Sequence, residues 1–248
     1  MMDQPILNRE AERIDYRFAA GTQSNRREDV LVLLGHGVTG NKDRPILVET
    51  ANALNGAGFD TLRFSFSGNG DSEGRFEEAT VSKEAADLDA ILGAVSREYP
   101  RIAYVGHSMG AAVGILKAAE DSRIHYLISL AGMVDTRTFA QTEFGDLVPG
   151  QDCMWEEEAY PLSRAFMTDL CETVRSVEPQ AGRIAVPWLL VHGTGDDVVL
   201  PRDSELVKEQ LGQRVDLVLV EGANHVFSEP QHMKRATTAV VDWLARKA

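Results

Sequence analysis

Short apolar runs alternate with amphipathic stretches along most of this chain. Residues 30–35, 59–66, 102–105, 125–131, 186–191 and 215–220 are rich in Val, Leu, Ile and aromatic residues, and each run predicts a buried strand. Between them, residues 45–57 predict a helix: Pro45 suits a first turn, and Gly56 and Gly58 stop it. Residues 81–99 place Ala85, Leu88, Ile91, Leu92 and Val95 on one helical face. A short helix of small residues, Ala111-Ala112-Val113-Gly114-Ile115-Leu116, follows the run at 102–105, and a charged helix closes the chain. Upstream, residues 10–20 read as a solvent-facing strand and residues 21–29 as a polar turn. Such alternation predicts one α/β domain with a mostly parallel sheet and helices on both faces.

The alternation breaks between about residues 132 and 183. That stretch carries Phe139, Phe144, Trp155, Tyr160 and Phe166 with Pro149 and Pro161, and is too long and too aromatic for a plain crossover. It is expected to form a small lid over the strand C-termini, where α/β sheets place their sites. Its aromatic side chains either line an acyl or aryl pocket or fasten the lid to the body. The acids Glu156, Glu157 and Glu158 are expected to be solvated and to disfavour substrates with a free carboxylate nearby.

Composition narrows the function. The 248 residues hold 25 Lys and Arg against 38 Asp and Glu, a net charge of −13. That excess repels polyanions, so binding to nucleic acid or an anionic membrane is disfavoured. No run approaches the roughly 20 apolar residues of a membrane span. Residues Met1 to Pro5 lack a basic segment leading into an apolar run, so no signal peptide is expected. Cys153 and Cys171 are too few for a disulfide framework. Both lie in the insertion, where a local bridge stays open, but two free thiols in a reducing cytoplasm is the simpler expectation. A homodimer also stays open.

The chemistry lies in Gly106-His107-Ser108-Met109-Gly110, a G-x-S-x-G pentapeptide between an apolar run and a helix. Strand, sharp turn and helix are the setting of a nucleophile elbow, in which Ser108 is lifted over the strand end. A serine needs a base to take its proton and an acid to orient that base. The run at 186–191 leads into His192-Gly193-Thr194-Gly195-Asp196-Asp197, and the run at 215–220 into Glu221-Gly222-Ala223-Asn224-His225. Acid and histidine thus follow the serine in the order expected of such an elbow. Asp196 is chosen over Asp197 on its spacing from the strand end; Asp197 reads as a solvated turn residue or a cap. Oxyanion donors are expected at the N–H of Met109, at a helix N-terminus, and of Val38, where Gly37 lets the loop approach. His36 is expected to hold that loop by hydrogen bonding. His192 should make a backbone or core bond, His125 should be structural and His232 solvated. His107 is expected to point away from the site.

Across nearly its whole length the pattern resembles the α/β-hydrolase superfamily. Phe64-Ser65-Phe66-Ser67-Gly68-Asn69-Gly70-Asp71-Ser72-Glu73-Gly74 resembles a loop of its esterase, monoacylglycerol-lipase-like and serine-aminopeptidase-like branch. With His36-Gly37-Val38-Thr39-Gly40-Asn41-Lys42 and Asn224-His225-Val226-Phe227-Ser228, the nearest resemblance is to bacterial cinnamoyl and feruloyl esterases. Val38 departs from a frequent aromatic residue and Asn69 from a common His, and the insertion offers no clear hydroxycinnamate pocket. The resemblance implies ester hydrolysis by Ser108, His225 and Asp196 with Val38 and Met109 as oxyanion donors, on a small-molecule ester and without metal or organic cofactor. A serine aminopeptidase, whose lid carboxylates would hold a substrate ammonium, and a thioesterase are the alternatives within enzymes. A non-catalytic binding protein on the same scaffold is the rival from another class.

Overall fold

The computed structural model describes residues 5–22 and 26–248. The expectation for Met1 to Gln4, and residues 23–25 of the expected polar turn, lie outside the described residues. The strands are β1 (Ile6–Leu7), β2 (Arg13–Ile14), β3 (Tyr16–Ala19), β4 (Arg27–Gly35), β5 (Phe59–Phe64), β6 (Arg101–His107), β7 (Ile124–Leu130), β8 (Trp188–Gly193) and β9 (Val215–Val220). The α-helices are α1 (Pro45–Gly56), α2 (Val81–Val95), α3 (Met109–Ala118), α4 (Thr136–Phe144), α5 (Arg164–Thr168), α6 (Glu178–Ala181), α7 (Arg202–Leu211) and α8 (Pro230–Lys247). Seven strands form the main sheet in the order β3-β5-β4-β6-β7-β8-β9, parallel except for the β3–β5 edge pair.

Successive side chains on a strand face opposite ways. In β4, Leu31 and Leu33 enter one core while Val30, Val32 and Leu34 enter the other. Tyr104 and Val105 of β6 divide in the same way, as do Leu190 and Val191 of β8. Both faces are buried, which is why these strands read as unbroken apolar runs. One core is roofed by α2, α3, α4 and α7, the other by α1 and α8. Each Leu or Ile buried in this way stabilises the fold by about 1.5–3 kcal/mol.

Several boundaries differ from the sequence reading. The strand expected at residue 30 begins at Arg27, whose N–H bonds Gly58 O at 2.9 Å and whose guanidinium lies 5.0 Å over the Phe59 ring. The solvent-facing strand expected over 10–20 is two short pieces, of which β3 is a half-buried sheet edge. The strand at 59–66 stops at Phe64, because the Phe66 N–H leaves the ladder for His36 Nε2 at 3.0 Å. Helix α2 stops at Val95 rather than residue 99, where the N–H groups of Glu98 and Tyr99 both turn onto the Val95 carbonyl. The strand expected at 186–191 lies two residues later, since pairing with β9 carries it through His192 and Gly193.

Residues 132–183 hold α4, α5 and α6 with a 3₁₀ turn at Met154–Glu156 and a π-helical turn at Asp169–Val174. Phe144 and Phe166 are buried with ring centroids 6.0 Å apart, and Tyr160 packs on Phe76 at 5.2 Å. Cys153 and Cys171 are free thiols. No described helix is long and apolar enough to cross a membrane.

Candidate active site

β6 ends at His107 and α3 begins at Met109, so Ser108 alone makes the turn. It does so with φ 55° and ψ −121°, a backbone state costly to any residue with a Cβ, by about 1–3 kcal/mol. Three backbone bonds hold it there: Ser108 N–H to Leu130 O at 3.0 Å, and Ala111 N–H and Met133 N–H to Ser108 O at 3.0 and 3.2 Å. A Cβ on Gly37 would stand 2.7 Å from the Ser108 Cβ, so only glycine lets the loop after β4 pass over the serine.

The loops after β8 and β9 are stitched together by Gly195 N–H to Ala223 O at 3.0 Å and Gly222 N–H to Thr194 Oγ1 at 2.8 Å. This brings Asp196 and His225 into contact, with His225 Nδ1 donating to Asp196 Oδ2 at 2.8 Å. That bond leaves Nε2 as the basic nitrogen of the ring. Asp196 Oδ1 accepts from the N–H groups of Val198 and Val199, both at 3.0 Å. His192 Nε2 lies 3.2 Å from Asp196 Oδ2 and donates to Val199 O at 2.9 Å, while Ser204 Oγ bonds its Nδ1 at 2.7 Å. Burial alone would raise the pKa of Asp196; the close His192 ring and the hydrogen bond from His225 outweigh it and hold the carboxyl well below the usual range. The neighbouring Asp197 is exposed.

His107 corrects the sequence reading. It faces the site rather than away: its Nε2 donates to the His225 backbone carbonyl at 3.0 Å, and the two rings sit 5.0 Å apart. Burial and then the neighbouring His225 push its pKa down to about 3, so it stays neutral. No local pattern announces this contact, which joins residues 118 positions apart.

The N–H of Val38 has no protein acceptor among the described residues, and that of Met109 stands free at the first position of α3. His36 shapes the loop that carries Val38. Its Nδ1 donates to Gly37 O at 2.8 Å and its Nε2 accepts from Phe66 N–H at 3.0 Å. Burial pushes this imidazole down to about 4, in keeping with a neutral ring.

Ser108 and His225 line one cavity of about 480 Å³. Val38 and Thr39 border it from the loop after β4, Pro45 and Ile46 from α1, Phe139 and Trp155 from the insertion, and Val226 and Met233 from the chain's last quarter. Thr39, Ser108 and Trp155 all have positive φ, so backbone strain gathers at this cavity. The acids Glu156, Glu157 and Glu158 do not line it; among the described residues no Asp or Glu does. The expected disfavour toward a substrate carboxylate therefore has no basis in the wall. Among the described residues no three His, Cys, Asp or Glu side chains gather as a metal site.

The prolyl oligopeptidase family model matches residues 87–248. An uncharacterised protein of Mycobacterium tuberculosis is 30% identical over 196 residues, covering 78% of this chain and 62% of that one. The bovine mitochondrial palmitoyl-protein thioesterase ABHD10 is 27% identical over 180 residues, covering 68% of this chain and 58% of that one. The chain thus spans less than two thirds of the length of these curated relatives. Among solved structures, Est1E from Butyrivibrio proteoclasticus with ferulic acid bound superposes with a TM-score of 0.85 at 24% identity, covering 98% of each chain. The Pyrococcus furiosus esterase Pf2001 superposes with a TM-score of 0.74 at 21% identity, covering 98% of this chain and 91% of that one. At such identities these structures speak to the fold, which is that of the α/β hydrolases.

Proposed function

From the premise that the chain belongs to the prolyl oligopeptidase family, within the α/β-hydrolase superfamily, we propose that it is a serine hydrolase of carboxylic esters. His225 Nε2 takes the proton of Ser108 Oγ as that oxygen attacks the ester carbonyl. The N–H groups of Val38 and Met109 hold the oxyanion, each worth about 10²- to 10³-fold in rate. Asp196 steadies the imidazolium, which then protonates the departing alcohol. Water repeats the sequence on the acyl-Ser108 and releases the acid. In this reading residues 132–183 serve as the lid, with Phe139 and Trp155 as its contribution to the substrate wall.

One observation carries the proposal: a histidine bonded through Nδ1 to a buried aspartate lines the same cavity as a serine on a strained strand-to-helix turn. The apolar wall suits an aryl or short acyl group, in line with the ferulic acid bound to Est1E. The likeness to a palmitoyl-protein thioesterase favours a thioester as the second reading. The family's name points to peptide-bond cleavage, but for an aminopeptidase the cavity lacks, among the described residues, the carboxylate that would hold a substrate ammonium.

A panel of p-nitrophenyl acetate and butyrate, methyl ferulate, an acyl thioester and aminoacyl anilides tests this. Esters are expected to lead, with kcat/KM falling about 10⁴-fold or more in Ser108→Ala and in His225→Ala. Anilides outrunning esters, or turnover surviving in Ser108→Ala, would contradict it.

A further inference from the structure

The one formal charge on the cavity wall is positive. Arg44 lines the cavity beside Thr39 and Pro45, and among the described residues no other Lys or Arg and no Asp or Glu does so. In a chain with 38 acidic and 25 basic residues, about half of the cations pair with a carboxylate among the described residues. The basic residues nearest Arg44 illustrate this: Lys42 pairs with Asp15, Asp43 and Asp71, and Arg63 pairs with Asp43. Arg44 pairs with no carboxylate among the described residues. Its one side-chain hydrogen bond among the described residues runs from Nη2 to Thr39 O at 2.8 Å, which anchors the guanidinium one residue from Val38.

A guanidinium carries five N–H groups in a planar fork that matches a carboxylate in two-point contact. One N–H suffices to hold the Thr39 carbonyl, so the remaining donors are available to a ligand. The setting strengthens the case, because the rest of the wall is mainly apolar and offers a substrate anion no competing acid. The charge also reaches the site itself: it adds to burial in keeping His36 and His107 neutral.

We infer that Arg44 recognises a carboxylate on the substrate, remote from the scissile ester, so that the favoured substrates are half-esters of dicarboxylic acids or acyl esters of hydroxy acids. This rests on the ester-hydrolase reading given above. The carboxylate is a handle and takes no part in the bond changes: water adds across the ester, one acid and one alcohol leave, and the second carboxylate departs unaltered. Arg44 sets specificity, holding the end of the substrate that does not react.

Two matched pairs test the inference and tell which side of the ester bears the charge. Monomethyl adipate against methyl hexanoate places the carboxylate on the acyl side; 4-acetoxybenzoate against p-tolyl acetate places it on the alcohol side. In at least one pair the wild type is expected to prefer the carboxylate by about 10-fold in kcat/KM, the scale of one partly exposed charge-assisted contact. That ratio should fall toward one in Arg44→Gln, be partly retained in Arg44→Lys, and shrink as salt is raised. Ratios near one in both pairs, or a ratio that Arg44→Gln leaves unaltered, overturn the inference. Equal loss on both members of each pair overturns it too, since Arg44 would then only brace the Thr39 loop. No turnover of any ester by folded wild type would instead sink the hydrolase reading, and this inference along with it.

Discussion

Ser108 stores strain that its side chain alone justifies. At φ 55° a glycine would rest without the Cβ penalty, and an alanine would not. Ser108→Gly is therefore expected to be more stable than Ser108→Ala by about 1 kcal/mol in urea unfolding, with both inactive. Equal stabilities would show that the turn is not strained by its Cβ. Asp196→Asn presents an amide where His225 Nδ1 donates, so it favours the wrong ring tautomer while keeping an oxygen for Val198 and Val199. A loss of about 10⁴-fold in kcat is expected, against little change for the exposed Asp197→Asn. Comparable losses would mean the acid has been misassigned. His107 acts through His225, whose carbonyl it anchors. His107→Ala should lower kcat about 10-fold while KM moves little, because the imidazole loses its placement and the substrate wall is mostly kept.

At the scale of elements, most of the parallel strands were legible because they are buried over most of their length and their sequences are largely apolar. Ser108, Asp196 and His225 were legible as candidates because each stands where an apolar run ends in a glycine-rich turn. What escaped depends on distance along the chain. His107 meets a carbonyl on another loop, and Arg44 is defined by the carboxylate it lacks; neither leaves a local signature. Boundaries shifted where one long-range bond ended a ladder, as at Phe66 and His36. Within the insertion the aromatic residues divide by role. Phe144 is 1% exposed, so Phe144→Ala should cost about 3–5 kcal/mol by urea unfolding. Trp155 is 40% exposed and lines the cavity, so Trp155→Ala should leave stability nearly unaltered and raise KM for aryl esters several-fold. An unaltered KM would remove Trp155 from the substrate wall.

The whole molecule carries a pH response away from the cavity. Glu84 of α2 is 1% exposed, and its Oε2 has no hydrogen-bond partner among the described residues. Burial, reinforced by Asp87 and Asp169, raises its pKa well above the usual carboxylate value, and Tyr104 is a further neighbour. Between the unfolded and folded pKa values the native state holds a proton that the unfolded state has lost, so stability falls as pH rises. Glu84→Gln keeps the shape without the proton, and should flatten that decline above about pH 5 in urea titrations. A decline as steep as wild type's would assign it to other groups. Asp196 works in the opposite sense: its lowered pKa adds stability above the ordinary Asp range that is lost as pH falls.

The central claim is that one serine becomes covalently acylated with the help of one histidine. Peptide mapping after treatment with a fluorophosphonate probe reads this most directly. A single adduct on Ser108 is expected, absent from Ser108→Ala and formed far more slowly in His225→Ala. Folded wild type that takes no adduct, or takes it on another residue, would contradict the account.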